Sequence, residues 1–186
     1  MSPQRTLLRI PALAITVLAA GCAATQAAQS DAKEAAVAER APPPRVQAWM
    51  DRLTVAHEYD PKTGFIVARE VVTLPPLIAD APPLDAAIAQ AGSERIVIAF
   101  VTADRCAPCQ QYKRDALNDA GVLAQLSDAR FVPTHLEADR SPQLADTYLG
   151  SRAIPMTYAL RDGKVVAELR GQRSAGDLAS WLDALR

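Results

Sequence analysis

The sequence predicts an α/β sandwich built around a mixed central sheet. Two near-continuous apolar runs, residues 95–102 and 130–137, read as strands buried on both faces. Helical segments alternate with them. Two further apolar runs, residues 156–160 and 165–169, are joined by Arg161-Asp162-Gly163-Lys164. Asp-Gly between apolar runs is a hairpin signal. Strand and helix in alternation, then a hairpin, then a helix, make the sandwich.

Taken in order, residues 84–91 form a short helix with Asp85 near its start. The strand 95–102 is followed by a three-residue loop and a helix over 107–117, and residues 122–126 continue helical. After the strand 130–137 comes a helix over 143–149, closed by Gly150. The hairpin leads to a terminal helix over 175–185. These elements fill residues 83–186, and no internal repeat is evident.

Residues 46–82 form an extension ahead of that domain. Residues 52–59 and 65–73 read as strands. Asp60-Pro61-Lys62-Thr63-Gly64 between them supplies turn chemistry, with Pro second and Gly last. The reading is a β-hairpin packed against or beside the main domain, with Trp49 and Phe65 as core or contact residues. Contact of the hairpin with a substrate is the alternative role.

Residues 22–45 are a linker. The stretch 23–41 is rich in Ala, Gln, Glu and Lys, with almost no large side chains, and cannot bury enough surface to fold alone. Pro42-Pro43-Pro44 stops any helix there and stiffens the approach to the domain. Some twenty flexible residues reach about 25 Å. Residues 1–21 have the layout of a secretory signal: Arg5 and Arg9 without an acid, then an apolar run over 10–20. That run is too short to span a bilayer, which takes about 20 residues. It ends in Leu18-Ala19-Ala20-Gly21-Cys22, which resembles a bacterial lipobox. The resemblance implies cleavage before Cys22, lipidation of its sulfur, and a lipid-anchored protein facing the periplasm. Ala23, not Asp, follows the cysteine, which leans toward the outer membrane. Ordinary cleavage nearby, leaving Cys22 a stray thiol, is the plainer alternative.

Composition narrows the function. The 186 residues carry a formal net charge of −1, and no basic patch points to nucleic acid. Hydrophobic residues make up 49%, enough for a packed core. Three cysteines are too few for a disulfide-stapled scaffold. With Cys22 lipidated, Cys106 and Cys109 remain as a C-A-P-C pair.

A buried strand ending just before C-x-x-C, with a helix starting at the first cysteine, suits thiol chemistry. The helix N-terminus presents unpaired N–H groups and its positive dipole end to the Cys106 sulfur. That favours thiolate over thiol and lowers the pKa from its free value of about 8.5. Cys106 is the nucleophile. Cys109, one turn on and less exposed, resolves the mixed disulfide. Pro108 stiffens the helix start, where its missing N–H costs little. Arg105 either adds charge that stabilises the thiolate or is a solvated loop residue. The competing reading is zinc held by Cys106, Cys109, His57 and His135, but the two histidines have no paired spacing. No cofactor and no metal is expected.

Thr102-Ala103-Asp104, Cys106-Ala107-Pro108-Cys109, Gly150-Ser151-Arg152-Ala153-Ile154-Pro155, then Asp162-Gly163, Gly171 and the last helix, occur in that order. On these residues the chain from about residue 81 resembles thioredoxin, and especially the thioredoxin-type domains of periplasmic reductases. The resemblance implies a three-layer sandwich, a cis peptide bond before Pro155, and contact of Ile154 with the backbone of a substrate. It implies protein substrates with disulfides, and a membrane thiol-transfer protein as electron source. C-A-P-C is close to the family's C-G-P-C, so the expected direction is reduction. Copper-delivery proteins of this fold place three residues between their cysteines, not two. A redox-idle binding module is a further alternative.

Two positions depart from the family. Arg105 stands where a Trp is usual. Phe100 stands six residues before Cys106, where thioredoxins carry a buried Asp that relays the resolving cysteine's proton. Asp104 or Glu137, through water, is the expected substitute. His135 is read as a satisfied strand histidine, with proton transfer the alternative.

Overall fold

The structure is a computed structural model and describes residues 41–185. The expected signal, Cys22 and nearly all of the linker lie outside the described residues.

The first element among the described residues is α1, Pro44–Met50, which the sequence reading did not foresee. Pro44 sits at the first helical position, where its missing N–H is one the helix leaves unbonded anyway. The proline run therefore opens a helix. A hairpin follows, β1 (His57–Asp60) and β2 (Phe65–Ala68), paired from His57↔Ala68 to Asp60↔Phe65. Its turn is as expected. The Asp60 carboxylate accepts from the Lys62 N–H at 2.9 Å and the Thr63 hydroxyl at 2.8 Å, and Gly64 takes φ 75°.

Both strands are shorter than expected, for a physical reason. The N–H groups of Thr54 and Val55 donate to Gln111, and that of Val72 to Gln110, so the flanking backbone is satisfied without strand pairing. Trp49 and Phe65 were expected as core or contact residues, and the core alternative fails. They are 39% and 69% exposed, and the buried positions here are Leu53, Val55, Ile66 and Val67.

The remaining elements are α2 (Pro76–Ala79), α3 (Leu84–Ala91), β3 (Ile96–Thr102), α4 (Ala107–Tyr112), α5 (Ala120–Leu126), β4 (Phe131–Glu137), α6 (Pro142–Leu144), β5 (Met156–Arg161), β6 (Lys164–Arg170) and α7 (Ala175–Ala184). Helices α4 and α6 each run on into a wider π turn, Lys113–Leu117 and Ala145–Leu149. Gly150 closes the second with φ 64°. Asp162 and Gly163 both take positive φ, the two-residue turn that suits a twisted hairpin.

The four-stranded sheet has the order β4-β3-β5-β6. β3 runs parallel to β4 and antiparallel to β5, and β5 is antiparallel to β6. The sheet is mixed, as the sequence predicts. All seven residues of β3 are buried. Val97, Ala99 and Val101 face a core shared with α3 and the 145–149 turn. Ile96, Ile98 and Phe100 face a second core with Tyr112, Leu117, Leu126, Leu178 and Leu182. Helices thus cover both faces, which is why β3 reads as a continuous apolar run rather than an alternating one.

Candidate functional site

Four residues separate the end of β3 from α4. The loop brings Cys106 to the N-cap of α4, with extended backbone at φ −88° and ψ 108°. The Cys109 N–H, in the first turn of the helix, donates to the Cys106 carbonyl at 3.0 Å and also points at Cys106 Sγ at 3.2 Å. A backbone donor on sulfur stabilises the thiolate over the thiol. Cys106 and Cys109 are joined as a disulfide. Cys106 is half-buried, whereas Cys109 is fully buried. Cys106 is thus the more exposed member of the pair. Pro108 lies in the first turn, and Arg105 is exposed.

The Ile154–Pro155 bond is cis. Met156, the next residue, pairs with Val101 near the end of β3. The register therefore brings Pro155 to the same end of the sheet as the loop carrying Cys106. Pro155 is buried and Ile154 is 36% exposed beside it. The Gly171 N–H donates to the Pro155 carbonyl at 2.9 Å, tying this loop to the end of β6. Tyr112 of α4 and Thr157 of β5 share a buried hydroxyl hydrogen bond of 2.8 Å. Burial holds the Tyr112 phenol protonated well above the usual range.

The extension covers the other side of the pair. Val67 forms an antiparallel bridge with Cys106, and the Ala68 N–H donates to the Arg105 carbonyl at 2.9 Å. Leu53, Val55 and Ile66 pack with Ala107, which is fully buried. Gln110 and Gln111 fasten this cover. Gln110 Oε1 accepts from Val72 while its Nε2 donates to the Asp104 carbonyl at 2.9 Å. Gln111 Oε1 accepts from the Thr54 and Val55 N–H groups at 2.8 and 3.1 Å. Sequence reasoning missed both glutamines. The signal was two polar residues on a helix turn that has no solvent-facing side.

Behind the pair lies a polar cluster. Lys113, one turn after Cys109 on the helix and also missed by the sequence reading, is buried and reaches Asp104 at 3.4 Å. Asp104 also pairs with Arg140, and its N–H donates to Glu137 Oε1 at 2.7 Å. Burial, then the neighbouring Asp104 charge, raises the Glu137 carboxyl above its usual range. His135 Nε2 shares a 2.7 Å hydrogen bond with the Thr102 hydroxyl. Burial, then the Lys113 charge, lowers its pKa to about 4, so the ring is neutral at physiological pH. Phe100, opposite both His135 and Thr157, is fully buried, and the place expected for a carboxylate is apolar. His57 Nδ1 lies 2.7 Å from the Val55 carbonyl. Both imidazoles are therefore held by bonds of their own. Among the described residues no three His, Cys, Asp or Glu side chains gather as metal ligands would.

A comparison with curated proteins found no match. Among solved structures, a thioredoxin from Thermus thermophilus is 28% identical, over 55% of this chain and 83% of its own, with a TM-score of 0.48. A Fasciola hepatica thioredoxin is 19% identical over 55% and 91%, with a TM-score of 0.44. A poplar thioredoxin h is 22% identical over 54% and 86%, again at 0.44. The family model for a thioredoxin-like domain matches residues 83–186, a span that takes in the central sheet, C-A-P-C and Ile154-Pro155. That span is more than half of the sequence, and the chain belongs to the thioredoxin-like domain family.

Proposed function

We propose that the protein is a thiol–disulfide oxidoreductase that reduces disulfides in proteins outside the cytoplasm. The observation that carries the reading is the half-buried Cys106 sulfur at a helix N-terminus, joined to a fully buried Cys109. In the reduced protein the Cys106 thiolate attacks one sulfur of a substrate disulfide. A mixed disulfide forms, and the other substrate sulfur leaves as a thiolate and takes a proton. Cys109 then loses its proton and attacks Cys106 Sγ. The substrate departs as a dithiol, and Cys106–Cys109 is left oxidised, two electrons having passed to the substrate. Glu137, with its raised pKa, is the proton acceptor we assign to Cys109, through water, in place of the absent aspartate. Ile154 and Pro155 line the path of the substrate backbone. A membrane thiol-transfer protein restores the dithiol, and lipidation of Cys22 holds the domain near that donor.

The test is reduction of a protein disulfide by the pre-reduced protein, together with the potential of the pair. We expect activity in the wild type and none in Cys106→Ser, while Cys109→Ser accumulates mixed disulfides with its substrates. The potential should lie near thioredoxin's, about −270 mV, rather than near the strong oxidants, about −120 mV. A value at the oxidising end refutes the reductase direction. Activity that survives Cys106→Ser refutes the enzyme reading.

A further inference from the structure

A cavity of about 380 Å³ lies between the end of α1 and the residues at and after the end of β6. Its lining is Trp49, Arg52, Arg170, Gly171, Gln172 and Arg173. On one side, Leu53 follows Arg52 directly and packs with Ala107, the residue next to Cys106 in C-A-P-C. On the other, Gly171 donates its N–H to the Pro155 carbonyl. The cavity thus adjoins both the cover of C-A-P-C and the cis-proline loop.

Its chemistry is one-sided. Three guanidinium groups line it, and no carboxylate does. Among the described residues neither Arg52 nor Arg173 has an ion-pair partner, and Arg170 has only the exposed Glu168 at 3.5 Å. All three arginines are exposed, and they give this cavity a positive character within a chain whose net charge is −1. Trp49, 39% exposed, adds a flat apolar face on which a guanidinium or a peptide stem can stack. Gly171, at φ 81°, leaves the cavity floor free of a side chain.

We propose that this cavity binds an acidic segment of the substrate protein, placing Asp or Glu side chains near the target disulfide against Arg52, Arg170 and Arg173. The inference rests on the oxidoreductase reading and names its substrate class. Planar guanidinium groups take carboxylates in paired hydrogen bonds, which gives orientation as well as attraction. An arriving acidic flank would thereby lie across the cavity while its disulfide faces Cys106. Arg52 and Trp49 come from the extension, so the preference belongs to this chain's added segment as much as to its main domain.

The test uses the full-length protein and two synthetic disulfide peptides that differ only in flanks, Asp/Glu-rich or Lys-rich, with an uncharged small disulfide as reference. We expect kcat/KM for the acidic peptide to exceed that for the basic one by about tenfold at low salt. The ratio should collapse at high salt and reverse in the Arg52→Glu/Arg173→Glu double variant. Equal rates for the two peptides, or a ratio the variant leaves unchanged, overturns the proposal. Calorimetry with a cysteine-free acidic peptide separates the two readings. Binding without any disulfide reduction would sink the oxidoreductase reading and leave the acidic site standing. Reduction of the small disulfide without such binding would do the reverse.

Discussion

His135 is a strand residue whose hydrogen bond to Thr102 and burial leave the imidazole neutral. Its pKa of about 4, against an ordinary 6.5, has a consequence for stability. Below about pH 6.5 the unfolded chain binds a proton that the folded chain refuses. Stability therefore falls as pH drops from about 6.5 toward 4, by something on the order of 1–3 kcal/mol for a half-buried ring. Glu137 has the opposite sign. Its raised pKa contributes stability that is present in acid and lost as pH rises through its folded value. Denaturant unfolding at pH 7 and pH 4.5 checks this. Wild type should lose more stability on acidification than His135→Gln, whose amide can still bond Thr102. Parallel losses would mean that the ring is not held neutral. The sequence placed His135 on a buried strand and preferred the satisfied reading. It could not name Thr102, because a cross-strand partner depends on register.

At the scale of elements, the extension and α4 act as one unit. Gln111 answers two backbone donors from a segment more than fifty positions away. In Gln111→Ala those N–H groups have no partner, and a buried unsatisfied donor costs about 1–3 kcal/mol. We expect a loss of that order in chemical denaturation, together with faster proteolysis of residues 51–56. An unchanged midpoint would mean that the extension is held by Leu53, Val55 and Ile66 alone. The hairpin itself was legible, since its turn residues are local signals. Its shortened strands were not, because side chains of α4 satisfy backbone that the strand reading had assigned to pairing. The exposure of Phe65 and Trp49 was hidden for the same reason: an aromatic residue carries no mark of which neighbour, if any, covers it.

At the scale of the molecule, the sheet order puts three separate segments at one end: the loop after β3, the Ile154-Pro155 turn before β5, and Gly171 after β6. Chain order alone leaves these about fifty and sixteen residues apart; antiparallel pairing of β5 with β3 and β6 joins them. The domain so built carries its own core on both sheet faces, and among its described helices none is long and apolar enough to cross a membrane. The anchor proposed above is a lipid on Cys22. Radiolabelled fatty acid supplied to cells should label the wild-type protein and not Cys22→Ser, with the variant recovered in the soluble envelope fraction. Label retained in the variant would refute the assignment.

The cis-proline turn was an expectation carried by the resemblance to thioredoxin; the sequence by itself determined the sandwich and the strand–cysteine–helix junction. Those features follow from apolar periodicity, turn chemistry and short spacing, all of which act over a few residues. Tertiary packing alone shows that the extension covers Ala107, that Lys113, Asp104 and Glu137 share one cluster, and that three arginines, from the extension and from residues at and after the end of β6, line one cavity. Each of these joins residues distant in the chain, and such contacts are set by register and packing, which a linear pattern does not encode.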